Sequence, residues 1–352
     1  MRHMESMWES RILTNNGPIA RKFETELGEY LGVPSPRVVA NCTLGLVIAL
    51  RALGVTGEVI TSPFSFVATT NAIIMAGAQP VFADIDPVTL NISPSAVERL
   101  ISPKTEAVLG IHSFGNPCNL AELHALAERH GIPLVYDAAH AFGVRVGARS
   151  LLDYGTCAVT SFHATKVFNT LEGGAVFSRD PALLKRVDAL INHGFEGETN
   201  VLNWGINAKM SELHAAVGLE QLPYVTGNIK ARGKLVNQYI DGLSGIEGLS
   251  FARPPADVTT NHYLFPVMVD QSYPLSRDAL NDFLAQHNIF ARRYFYPLIS
   301  DMQPYRDLPS AVPQTLPVAQ DIAARILCLP LFPELDPTDQ NWVISLLRDP
   351  SC

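Results

Sequence analysis

From about residue 37 onward, short apolar runs alternate with stretches whose apolar residues recur at helical spacing. RVVAN predicts a strand, TLGLVIALRALG a helix, EVITSP a strand and SFVATTNAIIMAGA a helix. The series continues with QPVFADID (strand), SPSAVERLI (helix), EAVLGIHSFG (strand), NLAELHALAERHG (helix) and PLVYDAA (strand). Such alternation predicts a mostly parallel sheet with helices on both faces. In the last of these helices Asn119 is the expected N-cap and Gly131 the C′ residue, while Leu120, Leu123 and Leu126 form the buried stripe. Sheets of this kind bind ligands at the carboxyl ends of their strands, so the residues that follow strands carry the most interest.

Two further strands are predicted at CAVTSF (157–162) and GGAVFS (173–178), separated by the loop HATKVFNTLE. Helical patterns then run from DPALLKRVDALINHG to about residue 243. TNHYLFPVMV, SRDALNDFLAQHN and IFARRYFYPL predict strand, helix and strand in a smaller α/β unit. The expected division is a large domain over 1–243 and a smaller C-terminal domain over 244–352. A chain of 352 residues, 47% of them hydrophobic, suits two such domains better than one.

The net charge of −8 argues against a nucleic-acid partner, which calls for concentrated positive charge. Cys42, Cys118, Cys157, Cys328 and Cys352 show no CxxC spacing, so neither a metal site nor a disulfide framework is expected. The N-terminal MRHMESMWESR lacks the apolar run of a signal peptide, and no stretch approaches the roughly 20 apolar residues of a membrane span. A soluble, cytoplasmic protein is the expectation. No GxGxxG follows the first strand, which counts against a dinucleotide-dependent dehydrogenase on a similar doubly wound front half.

Several post-strand residues can carry chemistry. Asn41–Cys42–Thr43–Leu44–Gly45 ends a strand and opens a helix, whose free N–H groups suit a phosphate, although a plain Asn or Thr cap reads the same way. Asp137 follows a central apolar strand, where a carboxylate is costly unless paired. It is either a structural group satisfying loop amides or an anion that keeps a cofactor's pyridine nitrogen protonated. His140 lies close enough along the chain to face the same space. Lys166 sits in a loop after an apolar strand and before Gly173–Gly174; it is either a solvated surface charge or, as this setting favours, an amine that condenses with an aldehyde.

These segments, together with GPIARKFETELGEYLG, SPFSFVATTNAI, PVFADIDPVTLNI, YDAAHAFG, SFHATKVFNTLEGGAV and GINAKMSELHAAVGLEQL, occur in one order over essentially the whole chain. The chain thereby resembles the DegT/DnrJ/EryC1/StrS family of sugar aminotransferases dependent on pyridoxal 5′-phosphate (PLP). The resemblance implies PLP fold type I, an α/β fold, and a homodimer with active sites shared between subunits. Lys166 matches the lysine that joins the cofactor, and Asp137 the partner of its pyridine nitrogen. His140 matches a contact on the O3′ side of the ring, Phe66 an aromatic that stacks on it, and Thr43, Leu44 and Ser161 a phosphate cradle. Asn207 matches an asparagine that reaches the phosphate from the neighbouring subunit. Some relatives carry histidine in place of the lysine and act as dehydratases; Lys166 favours transamination.

HATKVFNTLEGG and RRYFYPL are similar to enzymes that aminate C4 of dTDP-4-keto-6-deoxyglucose to give dTDP-4-amino-4,6-dideoxyglucose, a step of deoxyamino sugar biosynthesis. The amino donor implied is an amino acid, glutamate as in relatives. His193, Arg292, Arg293 and Tyr296 are candidate contacts to the nucleotide-linked keto sugar, with arginines suited to its pyrophosphate. Amination at C3, C4 chemistry of opposite stereochemistry, and a non-catalytic regulatory protein on the same fold stay open as alternatives.

Overall fold

The computed structural model describes residues 2–12 and 16–350. Cys352 lies outside the described residues, and Cys42, Cys118, Cys157 and Cys328 are free thiols. The strands predicted in the first half are all present: β1 (Arg37–Val39), β2 (Glu58–Thr61), β3 (Gln79–Phe82), β4 (Thr105–Ile111), β5 (Leu134–Asp137), β6 (Cys157–Ser161) and β7 (Gly174–Phe177). They form one sheet in the order β1-β7-β6-β5-β4-β2-β3. Strands β6, β5, β4, β2 and β3 run parallel, and β7 is antiparallel to both of its neighbours. The mixed, mostly parallel α/β architecture expected from the alternation is the one observed.

Strand parity sends successive residues to opposite faces. Leu134 and Tyr136 of β5 join a core with α2 (Pro18–Leu31), α5 (Pro94–Leu100), α6 (Leu120–His130) and α8 (Glu212–Gln221). Val135 joins the opposite core, with α3 (Cys42–Ala52), α4 (Ala68–Ala76) and α7 (Pro181–Ile191). Asp137 shares the parity of Val135 and so belongs to the α3–α4 face. Helix α6 is bounded as predicted: Asn119 Oδ1 accepts the Glu122 N–H, and Gly131 is left-handed at φ 63°. Leu123 and Leu126 are buried, while Leu120 is half-buried.

Helix α3 lies tight on the sheet because Gly45 allows it to. A Cβ there would stand 2.7 Å from Val159 Cγ1 on β6. Gly174 permits a second close approach, since its Cβ would meet the Cys42 amide nitrogen at 2.9 Å. Gly174 therefore lets the start of α3 dock against β7.

Two predicted segments fold differently. The helical run expected from 181 to 243 is interrupted after α7, where Phe195–Glu196 pairs with Asn200–Val201 as a short hairpin. Gly194 and Gly197, both at positive φ (82° and 79°), supply turn conformations that a helix lacks. Helices α8 and α9 (Val225–Leu243) follow. IFARRYFYPL is not a strand, although Arg292 bridges Cys328. Its side chains do not alternate, since Arg292 and Arg293 are both exposed beside half-buried Tyr294 and buried Phe295.

The C-terminal sheet consists instead of Leu249–Ser250, β8 (Phe265–Val269) and β9 (Ile326–Leu329), all antiparallel. It is covered by α10 (Arg277–Gln286), α11 (Pro317–Arg325) and α12 (Pro337–Arg348). The hydrophobic cluster of this unit takes in Leu235, Val236, Tyr239 and Leu243, so its core begins inside α9. No helix among the described residues is long and apolar enough to cross a membrane.

Candidate active site

A cavity of about 310 Å³ opens at the carboxyl ends of β4, β5 and β6, against the first turns of α3 and α4. Its wall includes Thr43, Phe66, Asp137, His140, Ser161 and Lys166, six residues singled out from the sequence and brought together from four separate segments.

Helix α3 presents its start to this cavity. Asn41 Oδ1 accepts the Leu44 N–H at 2.9 Å and Asn41 O accepts that of Gly45. The amides of Cys42 and Thr43 come earlier, in the turn that has no intrahelical acceptors, and both residues line the cavity. Leu44, expected in the phosphate cradle, does not line it and has its amide committed to the cap. Ser161 ends β6; its Oγ accepts the His163 N–H at 3.3 Å and keeps its own proton to give.

The loop carrying Lys166 is pinned at both ends. Phe162 N–H donates to Gly173 O, and Thr170 N–H to Phe162 O. Between them Phe168 drops into the core, stacked on Phe142 at 4.5 Å and edge-on to Phe162 at 5.1 Å. Lys166 Nζ donates to Tyr263 Oη at 3.3 Å and lies 4.9 Å from the centre of the same ring. No carboxylate pairs with this amine among the described contacts.

Asp137 is buried, and its two oxygens have separate donors. Oδ1 accepts the Ala139 N–H at 3.1 Å and Oδ2 accepts the Thr69 hydroxyl at 2.7 Å. Burial pushes this carboxyl above its ordinary range, while the bonds from Thr69 and Ala139 and the charge of Lys166 pull it back. Burial also holds His140 well below its usual value, helped by Lys166, so the ring is neutral. Its Nδ1 accepts the Phe114 N–H at 3.2 Å, which assigns its proton to Nε2. Tyr263 packs on His140 at 4.6 Å, and Phe295 lies parallel to it at 6.0 Å. Phe66 is 62% exposed at the cavity mouth, unlike Phe64, which is the core residue of that segment.

The remaining candidates are not brought to this cavity within one chain. His193 is exposed on the loop after α7, and Asn207 bridges Asn192 beside it. Arg292 is exposed on the bridge to Cys328. Arg293 Nη1 is tied to Asp278 at 2.9 Å, and Tyr296 lies under Arg277 (4.6 Å) and Arg293 (5.4 Å). The irregular path of residues 292–297 turns Tyr294 and Phe295 into the cavity in their place. Tyr263 was also missed in the sequence. The Asn-His-Tyr run before β8 offered a signal, because Asn261 Nδ2 clasps the carbonyls of His140 and Phe142 and so docks Tyr263 onto the site.

The sequence profile of the DegT/DnrJ/EryC1/StrS aminotransferase family matches residues 1–348. Over 347 residues the chain is 42% identical to a Shigella dysenteriae protein named dTDP-4-amino-4,6-dideoxy-D-glucose transaminase, covering 99% of this chain and 94% of that one. An Escherichia coli protein of the same name is 40% identical over 339 residues, covering 96% and 91%. Among solved structures, DesI, determined in the presence of its TDP-sugar product, matches with a TM-score of 0.94 at 37% identity, over 99% of this chain and 88% of that one.

Proposed function

The chain belongs to the DegT/DnrJ/EryC1/StrS aminotransferase family, and we propose that it moves an amino group from glutamate to C4 of dTDP-4-keto-6-deoxyglucose, giving dTDP-4-amino-4,6-dideoxyglucose. The observation that carries the sugar assignment is its likeness, along nearly the full chain, to two enzymes named for that product. The likeness to DesI with its TDP-sugar product supports the same nucleotide.

Aminotransferases of this family depend on PLP. The cavity has a donor set that suits it: an anion site at a helix start, a buried carboxylate and an amine without a carboxylate partner. When bound, PLP supplies an aldehyde that takes up an amine and a ring that spreads the charge left by a departing proton. Lys166 Nζ would be the amine that holds the cofactor's aldehyde, and when free it would serve as the base and then the acid that moves the donor's Cα proton. Asp137 would hold the proton on the pyridine nitrogen, His140 would contact the ring from its O3′ side and Phe66 would stack on it. The amides of Cys42 and Thr43, with the Thr43 and Ser161 hydroxyls, take the phosphate.

The working unit in this reading is a homodimer, with Asn207 of the partner subunit completing the phosphate site. Val201, Leu202 and Trp204, exposed beside the hairpin, support a covered surface there.

Incubation of the holoenzyme with glutamate and either the 4-keto or the 3-keto nucleotide sugar, followed by NMR of the product, tests the assignment. The expected result is an equatorial C4 amine from the 4-keto sugar alone. An axial C4 amine or amination at C3 would replace it.

A further inference from the structure

Behind Asp137 lies a short chain of hydroxyls. Thr69 Oγ1 donates to Asp137 Oδ2 at 2.7 Å, and Ser65 Oγ lies 2.8 Å from Thr69 Oγ1. All three side chains are buried, Thr69 completely. A hydroxyl has one proton, and that of Thr69 is committed to the carboxylate. The bond between Ser65 and Thr69 must therefore run from Ser65 to Thr69, so both dipoles point their positive ends towards Asp137. Such an aligned pair stabilises the ionised carboxylate, whereas the protonated one could keep both bonds only by reversing the direction of the chain.

We infer that Thr69 is a positioning residue for transamination, with Ser65 behind it: the pair keeps Asp137 anionic and aimed at the cofactor's ring nitrogen. The inference rests on the role given above to Asp137. Local geometry supports it in two ways. Thr69 lies in the first turn of α4, whose other buried residues are Thr70, Ala72, Ile73 and Ala76, and its hydroxyl bonds Asp137 and Ser65 among the described contacts. The Ala139 amide is the only other neutral donor bonded to Asp137 among the described contacts. The titratable groups sharing the cavity are Cys42 at the start of α3, His140 on the loop after β5, His163, Lys166 and Glu172 on the loop after β6, and Tyr263 and Tyr294 from the C-terminal unit. Of these, only Lys166 favours the anion by its charge.

The test uses holoenzyme loaded with PLP carrying ¹⁵N in the ring. Thr69→Val removes the hydroxyl at nearly constant shape, Thr69→Ser keeps it, and Ser65→Ala removes the outer member. Two quantities are read: the ring ¹⁵N chemical shift, which reports protonation, and the acid limb of kcat against pH. Thr69→Val should move the ¹⁵N signal towards the unprotonated position and raise the acid limb by about one pH unit, the loss of one charge-assisted bond. Ser65→Ala should move both in the same direction by less, and Thr69→Ser should coincide with the parent.

Coincidence of Thr69→Val with Thr69→Ser in both readouts overturns the inference. Should Thr69→Val fail to load, coincidence of Ser65→Ala with the parent does the same. Asp137→Asn separates the two claims. If it leaves the ¹⁵N signal in place, the role of Asp137 itself falls; if it abolishes the protonated signal while the hydroxyl variants do not shift it, only the inference about Thr69 falls.

Discussion

Glu212 opens α8, yet its carboxylate serves a helix distant in the chain. Its oxygens accept the N–H groups of Gly17 (3.0 Å), Ile19 (2.9 Å) and Ala20 (3.0 Å) at the start of α2. Gly17, the N-cap residue, has no side chain to do this, and Pro18 has no N–H. Helix α2 in turn supplies Ile19, Ala20, Phe23, Leu27 and Leu31 to the core under the sheet. Glu212→Gln turns one acceptor into a donor, leaves at least one buried amide facing another N–H, and removes the anion from the positive end of the helix. Bonds to a charged acceptor are each worth roughly 1.5–3 kcal/mol, and the loss here should total about 2–4 kcal/mol. For the large unit that corresponds to a fall in Tm on the order of 10 °C.

Thermal unfolding followed by circular dichroism, with exposed Glu128→Gln as control, measures it. Gly17→Ala should also destabilise, because its Cβ would stand 2.7 Å from Glu212 Cδ although its φ of −86° suits any residue. Since both changes strike one contact, the double variant should lose less than the sum of the singles. A Tm for Glu212→Gln within about 1 °C of the control would refute the reasoning, because no cap of the expected strength would then exist.

Asp153 is buried and accepts bonds from Arg149 Nε (2.8 Å) and from Arg179 Nε and Nη2 (2.7 and 2.5 Å). Burial alone would raise its carboxyl, but the arginines outweigh it and hold the group below its ordinary value. A lowered folded-state pKa gives stability that is complete above the unfolded value of about 3.9 and is lost as pH falls through the folded value. Asp153→Asn should therefore cost roughly 1 kcal/mol in urea unfolding at neutral pH, with the gap closing as pH falls below the unfolded-state value; a gap independent of pH would count against the ion pairs. Tyr263→Phe removes the acceptor of Lys166 Nζ but keeps the ring packed on His140. Steady-state kinetics should show kcat reduced about fivefold, the worth of one modest hydrogen bond, with the absorbance of the bound cofactor retained. An unchanged kcat would show that the bond from Lys166 Nζ to Tyr263 Oη does not affect turnover.

The first half of the fold was legible because its strands are short and apolar, its helices carry an apolar stripe at helical spacing, and Asn, Gly or Pro mark many of the boundaries. The candidate site was legible in part, since Asp137 and Ser161 end strands and Thr43 and Lys166 lie in the segments that follow strands, where such a sheet places its ligands. Residues 290–297 were not legible. Two arginines among aromatics carry no period of two, so nothing in the string tells that Tyr294 and Phe295 turn inward while Arg293 pairs with Asp278. Glu212 reads as an ordinary acidic residue in a first turn, and only the docking of α2 reveals its three amides. Thr69 reads as part of an apolar helix. Its signal was the need of Asp137 for a donor, which becomes visible once β5 and α4 are placed on the same face.

The central claim is that Lys166 Nζ is the atom that joins the cofactor. Borohydride reduction of the yellow holoenzyme, followed by peptide mapping, tests it most directly. The predicted result is the reduced cofactor's mass on the peptide SFHATKVF at Lys166, with no such adduct after Lys166→Ala. Stable label on any other lysine, or an unlabelled Lys166 in an enzyme that still turns over, would contradict it.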